Sequence, residues 1–225
     1  MSRFQKKVIH IYVECKQKKI SSEKWYFQAL ERQLENVTFE FYHKHTQFRG
    51  LAKKNKNANE YFVAVLDVDI DYNNIEASKK TRMDIIELLA KTPNVEVYLS
   101  SRCWENWLVA HFQSFNTFTI NNTEFPIPDY KKQRDWYTAN KTLLLSSLLE
   151  AVQRCAQQRI RAYRDNNISL NPKDIPDFTQ RALALRIIES CNPISYIDLF
   201  IEKIYLINGT PINPTFQQSS KLVKR

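Results

Sequence analysis

Glycine is almost missing from this chain: Gly50 and Gly209 are the only two among 225 residues. A phosphate-cradling loop needs several glycines at fixed spacing, and neither Gly-x-Gly-x-x-Gly nor Gly-x-x-x-x-Gly-Lys-Ser/Thr can be written here. Nucleotide binding of that kind is excluded, so the chain is not expected to be its own motor. Cysteine is scarce and scattered. Cys15, Cys103, Cys155 and Cys191 form no Cys-x-x-Cys pair and have no histidine at zinc-finger spacing. They are expected to be reduced thiols, three of them buried and Cys15 beside the site. Long apolar runs are also absent, since nothing approaches the ~20 residues of a membrane helix. The opening MSRFQKKVIHIYVE starts basic, but its apolar run is short for a signal peptide and is interrupted by His10. A soluble, cytoplasmic protein of bacterial type, with no membrane partner, is expected.

What is present is a basic globular composition. Thirty-three Lys and Arg against 24 Asp and Glu give a net charge of +9 and a pI near 9.3, which favours an anionic partner, nucleic acid ahead of an acidic membrane. A basic soluble protein without such a partner has the same composition. An apolar fraction of 43% and a charged fraction of 25% argue against disorder, and the length suits one large core with or without a smaller appendage.

Hydropathy patterning predicts strands at VIHIYV from Val8, VTFEFYHK from Val37, FVAVLDVD from Phe62 and VEVYLSS from Val95. Helical spacing predicts EKWYFQALERQLE, capped by Ser21 or Ser22, then SKKTRMDIIELLAKT and SRCWENWLVAHFQSF. The stretch HKHTQFRGLAKKNKN is basic, without an acid from Phe41 to Asn59, and reads as a loop or mobile excursion. These elements imply an α/β fold with a mainly parallel four-stranded sheet flanked by helices over residues 1–120. Residues 121–135, polar and containing Pro126 and Pro128, read as a linker or long loop. Residues 136–225 read as a helical C-terminal region packing on the core. Its helices are predicted from about Trp136 to Arg164, from Phe178 to Ser190 and from Ile194 to Ile207.

The stretch YFVAVLDVDIDYNN sets Asp67, Asp69 and Asp71 two residues apart at the end of a buried-looking strand. Carboxylates held that close raise one another's pKa unless something positive is near. In open α/β sheets ligands gather at the carboxyl ends of the strands, where Glu14 closes the first strand and Asp67 and Asp69 close the third. Alternate residues face one way, so Asp67 and Asp69 can converge. Hard cations such as Mg²⁺ take oxygen ligands, often a few carboxylates plus water and substrate phosphate. The plain alternative is that these aspartates are turn residues leaving a strand, and Asp71 is assigned to that alternative.

Three blocks resemble a known family. A Glu ending the first strand with Asp-x-Asp ending the third resembles the acidic signature of Toprim domains. The closer similarity is to RloB-like proteins, related to the Toprim nucleases of the OLD type. VIHIYVECKQKKISSEKWYF resembles that family's strand–Glu–Gly opening followed by Thr-Glu-x-x-Tyr-Phe, with Glu14, Glu23, Tyr26 and Phe27 in matching places. AVLDVD is the second block. SSRCWENWLVAHF resembles Ser-Asn-Pro-Cys-Phe-Glu-x-Trp-Leu-x-x-His-Phe, matching at Ser100, Cys103, Glu105, Trp107, Leu108, His111 and Phe112. Near the end NPTFQQSSKLV resembles the family's close loosely. Cys15 stands where the family has Gly, the loop from Glu14 to Glu23 is longer, and Ser101, Arg102 and Trp104 replace Asn, Pro and Phe.

The resemblance implies an Mg²⁺- or Mn²⁺-dependent nuclease acting in bacterial antiphage defence. Glu14, Asp67 and Asp69 would be metal ligands, with Glu23 and Glu105 as candidates for a second metal and Glu105 also among the catalytic acids. It further implies an ABC-type ATPase as a partner subunit, and a homo-oligomer is an open expectation. The alternative for Glu23 and Glu105 is a first-turn glutamate favoured by the helix dipole. Trp104, Trp107, Leu108 and His111 share one helical face, so His111 reads as a hydrogen-bonded core residue rather than a general base. Lys16, Lys18 and Lys19 are candidates for contacting nucleic acid and for stabilising transition-state charge. Arg49, Lys53, Lys54 and Lys56, with Phe48 as an aromatic platform, are placed near the acidic end and suit a nucleic-acid groove; a solvated loop is the alternative. Arg154, Arg159, Arg161 and Arg164 suggest a second basic patch. From a different class, a Toprim-shaped module that grips nucleic acid or its ATPase without cutting fits the Cys15 replacement. A topoisomerase-like transferase or a primase would need a larger scaffold or zinc modules.

Overall fold

The computed structural model describes residues 6–14, 22–68, 74–101, 104–112, 134–191 and 194–212. Among these residues five strands form one sheet: β1 (Lys7–Val13), β2 (Val37–Tyr42), β3 (Glu60–Asp67), β4 (Val95–Ser101) and β5 (Ile194–Ser195). Among the described residues eight helices surround them: α1 (Ser22–Glu31), α2 (His45–Lys54), α3 (Ile75–Ala90), α4 (Glu105–Ala110), α5 (Arg134–Ser146), α6 (Leu148–Asp165), α7 (Arg181–Ser190) and α8 (Ile197–Asn208). The strand order is β2-β1-β3-β4-β5, with β1 to β4 parallel and β5 antiparallel on β4 through Ser100↔Ser195 and Ser101↔Ile194. The expected α/β architecture and parallel sheet stand. The four-stranded count does not, because a two-residue strand carries no periodicity of its own and lies where a helix from Ile194 was expected.

Parallel pairing dictates the rest of the topology. β1 is flanked in parallel by both β2 and β3, so the chain between β2 and β3 must run back across β1 before it can pair again. That return is α2, where the sequence suggested a loop. Its apolar content is narrow, Phe48 and Ala52 one turn apart, and the cations around them masked the helix. Phe48 is fully buried, with its ring 5.8 Å from those of Tyr12, Tyr42 and Phe62. It is a core residue and not an exposed aromatic platform. On the opposite face Phe27 of α1 packs against Phe39, Trp104 and Phe200 at 5.8, 5.7 and 5.3 Å. Helices therefore cover both faces of the sheet.

The C-terminal helices complete the same core. The predicted long segment is two helices meeting at Ser147, whose hydroxyl donates to the Leu143 carbonyl at 2.7 Å, a bond that bends helices. The helix expected from Phe178 begins at Arg181, and Phe178 itself packs edge-on to Tyr196 at 5.6 Å. Arg159 of α6 is buried and donates from both terminal nitrogens to Asp198 of α8, each at 2.7 Å. Arg154 donates to the Ala110 carbonyl at 2.7 Å. Two of the four arginines of the expected second patch are therefore internal ties. Cys155 and Cys191 are buried free thiols, as expected; Cys15 and Cys103 lie outside the described residues.

α8 ends in a Schellman motif: Gly209 has φ 87°, its N–H donates to Leu206 O at 3.1 Å, and the Thr210 N–H donates to Tyr205 O at 3.0 Å. A Cβ at Gly209 would meet nothing within 4 Å, so the penalty for a side chain there is conformational alone. Gly209→Ala is expected to lower stability by about 1 kcal/mol, readable as a shifted urea midpoint at unchanged slope.

Candidate active site

The strand order reverses between β1 and β3, and that switch point is where doubly wound sheets open a crevice at their carboxyl edge. Glu14 follows Val13, which pairs with Val65, and Asp67 ends β3 opposite Ser100. The pairing continues one step further, because Val68 N–H donates to Ser100 O at 3.0 Å. Two carboxylates thus end the two strands that flank the crevice. Asp67 follows Val63 and Val65 on the face covered by α1, and its Oδ1 is buried. Glu14 turns the other way and forms an ion pair with Arg82 of α3. The two acids flank the end of the sheet rather than meet above it.

Arg82 is the residue that sequence reasoning missed. α3 follows β3 and runs antiparallel to the strands, so its first turns stand at the carboxyl edge. The cationic stretch SKKTRM is thereby brought to the acids, although fifteen positions of chain separate Asp67 from Arg82. The positive charge that closely spaced acids require comes, for Glu14, from a side chain of the next helix.

The remaining expected residues divide by location. α1 and α4 follow β1 and β4 and so begin at the same carboxyl edge. Glu23, in the first turn of α1, is buried and accepts a hydrogen bond from the Ser22 hydroxyl at 3.1 Å. Glu105 opens α4 and is half-buried; beside it Asn106 is fully buried and its amide nitrogen donates to Ser101 O. Among the described residues no group of three His, Cys, Asp or Glu side chains is close enough to hold a metal ion. Asp69, Asp71, Lys16, Lys18 and Lys19 lie outside the described residues.

Arg49, Lys53, Lys54 and Lys56 are not near the acidic end. α2 starts at the carboxyl edge and runs away from it, so its last turn reaches the amino edge. Two contacts fix this: Arg49 Nε donates to Thr92 Oγ1 at 2.8 Å, and Asn94 Nδ2 donates to Ala52 O at 3.1 Å, both partners lying just before β4 begins. Lys53, Lys54 and Lys56 are exposed there. The expectation of proximity rested on reading a loop that could double back; a helix of ten residues cannot.

His111 is a core residue, as its apolar face suggested. It is buried, with Nε2 3.2 Å from the Tyr26 hydroxyl and Nδ1 3.1 Å from the Ser147 hydroxyl. Burial first, and the charge of Arg154 second, push it down to about 3. The unfolded chain binds a proton at the ordinary histidine value near 6.5, and the folded chain does not until about pH 3. Stability is therefore complete above about pH 6.5 and falls on acidification through that window, by up to about 1.4 kcal/mol per pH unit. His111→Gln is expected to flatten the loss of urea midpoint between pH 7 and pH 5, while lowering stability at pH 7.

The fold and its edge define a doubly wound α/β protein with acids ending the two strands at the switch point and an arginine of α3 paired to one of them. The family model described as RloB-like protein matches residues 11–204, and the chain belongs to that family. No curated protein and no solved structure matches it. No described helix is long and apolar enough to cross a membrane.

Proposed function

We propose that this RloB-like chain is a Toprim-type nuclease that hydrolyses nucleic-acid phosphodiesters with Mg²⁺ or Mn²⁺, as the effector of a bacterial antiphage defence system. The observation that carries the proposal is the placement of Glu14 and Asp67 at the ends of the two strands bordering the switch point. The donors fit a hard cation, since carboxylate oxygens are its preferred ligands and one or two of them suffice when water and substrate phosphate complete the shell. Glu14, Asp67 and Asp69 would hold it, with Glu23 and Glu105 at the same edge as candidates for a second ion. A cation there supplies Lewis-acid polarisation of the phosphate and a more acidic water.

The chain's own residues supply orientation and charge. Asp67, anchored by the β3–β4 register, fixes one side of the crevice. Lys16, Lys18 and Lys19, in the segment after Glu14, are assigned to the charge that builds on the phosphate. Lys53, Lys54 and Lys56 can hold a strand along the flank, at the amino edge and away from the cut. With two glycines and no phosphate-cradling loop, energy coupling falls to an ABC-type ATPase partner. A second reading, a nucleic-acid-binding module that does not cut, is favoured by the Glu14–Arg82 pair, which satisfies an acid without a cation. The two separate in one assay: labelled RNA and DNA incubated with Mg²⁺, Mn²⁺ or chelator. Chelator-sensitive cleavage supports the nuclease; retention of the strands without cleavage, with the ATPase partner also present, supports the binder.

A further inference from the structure

We propose that Arg82 is an anion subsite of the carboxyl edge, gripping a phosphate of the bound nucleic acid, and that Glu14 occupies it until that phosphate arrives. The inference rests on the reading of this edge as the place where nucleic acid binds, and it does not require that the chain cut it.

The guanidinium's planar fork of N–H donors matches carboxylate and phosphate alike. A phosphate can therefore take the place of a carboxylate that holds an arginine. Glu14 and Arg82 are 18% and 28% exposed, partly buried yet open to solvent. Their surroundings separate this pair from ordinary helix ties. Lys79, one turn before Arg82, bonds Glu189 of α7 at 2.7 Å, and Arg181 of α7 bonds Asp84 and Glu87 of α3 at 2.7 and 3.2 Å. Those pairs bind α3 to α7, away from the sheet, whereas Arg82 reaches an acid of the site. Lys80, next to Lys79, is exposed on the same first turns. The exchange gives up the Glu14 ion pair, so Glu14 competes with the phosphate, and that cost is offset only in part by the side-chain entropy the held arginine has already lost. The exchange would also release Glu14 toward Asp67.

The test is binding of labelled single-stranded RNA and DNA in chelator across a salt series, with wild type, Arg82→Gln, Arg82→Lys, Glu14→Gln and the Arg82→Gln/Glu14→Gln double variant. Arg82→Gln is expected to weaken binding about tenfold, as for loss of one charge-assisted hydrogen-bonding group, and to reduce the salt slope by about 0.7 to 1. Arg82→Lys keeps the charge but not the fork, and should fall between. Glu14→Gln is expected to tighten binding severalfold, and this gain should vanish in the double variant, because it acts through Arg82. If the pair is only a clasp between β1 and α3, both single variants lower Tm while affinity and slope stay at wild-type values, and the proposal is overturned. Absence of binding by the wild type overturns it as well. Should Arg82→Gln not fold, Arg82→Lys and Glu14→Gln still give the opposite signs required. Failure of the nuclease reading is seen separately, as intact binding with no cleavage when Mg²⁺ or Mn²⁺ is added.

Discussion

Asp198→Ala is expected to lower the stability of the protein by about 3 to 5 kcal/mol, a large part of what a domain of this size has. The variant leaves the Arg159 guanidinium buried without its counter-charge. At present both terminal nitrogens meet Asp198 at 2.7 Å, NH1 also donates to Ser195 O at 2.9 Å, Nε donates to the Pro172 carbonyl, and the group lies 5.3 Å from the Tyr196 ring centre. One side chain thus ties α6 to β5 and α8. Removing both charges is different in kind: Arg159→Met with Asp198→Leu buries no ion, and most of the loss should be recovered. Urea unfolding of the three proteins measures this. A cost below about 1 kcal/mol for Asp198→Ala would mean that water reaches Arg159. The effect also bears on function, because β5 pairs with β4 at Ser100, the residue opposite Asp67.

Asp67→Asn is expected to remove chelator-sensitive cleavage by at least about 100-fold, the upper range for disturbing even an indirect metal partner. The amide keeps the shape of the carboxylate, and the substitution takes a negative charge from a half-buried edge, so Tm in chelator should not fall. Nucleic-acid binding in chelator should stay within a few-fold of wild type, since Asp67 is assigned to the cation and not to the strand. That pattern is the reverse of the one expected for Arg82→Gln, where affinity falls first. Equal cleavage by Asp67→Asn and wild type would remove Asp67 from the site.

Where one element met one clear pattern, the sequence sufficed. β3 carries an unbroken apolar run, YFVAVL, and β1 and β4 are apolar apart from His10 and Glu96 before their ends, as strands of a sheet buried on both faces are; the acids ending β1 and β3 could be placed at the carboxyl edge from order alone. What was hidden is non-local. α2 has a two-residue apolar stripe among cations, and only the need to cross β1 makes it a helix. β5 is two residues long and exists because β4 offers an edge. Arg159 reads as one of several surface arginines until Asp198, thirty-nine positions on, is brought against it. Arg82 was missed for the same reason: no residue three or four positions from it is acidic, and its partner Glu14 lies sixty-eight positions back. Basic residues near Lys53 were displaced to the far edge once their loop became a helix, a correction that no composition could supply.

The central proposal is that a divalent cation binds at the switch point with Asp67 among its ligands. Thermal melting against Mn²⁺ tests it most directly, for wild type and for Asp67→Ala. A ligand bound only by the folded state stabilises it by RT ln(1 + [L]/Kd), about 2.7 kcal/mol at a hundredfold excess over Kd. A saturable rise in Tm for the wild type that is lost in Asp67→Ala is the predicted result. An unchanged wild-type Tm across the Mn²⁺ range, or an equal rise in the variant, would contradict it and leave the aspartate as a residue that simply ends a strand.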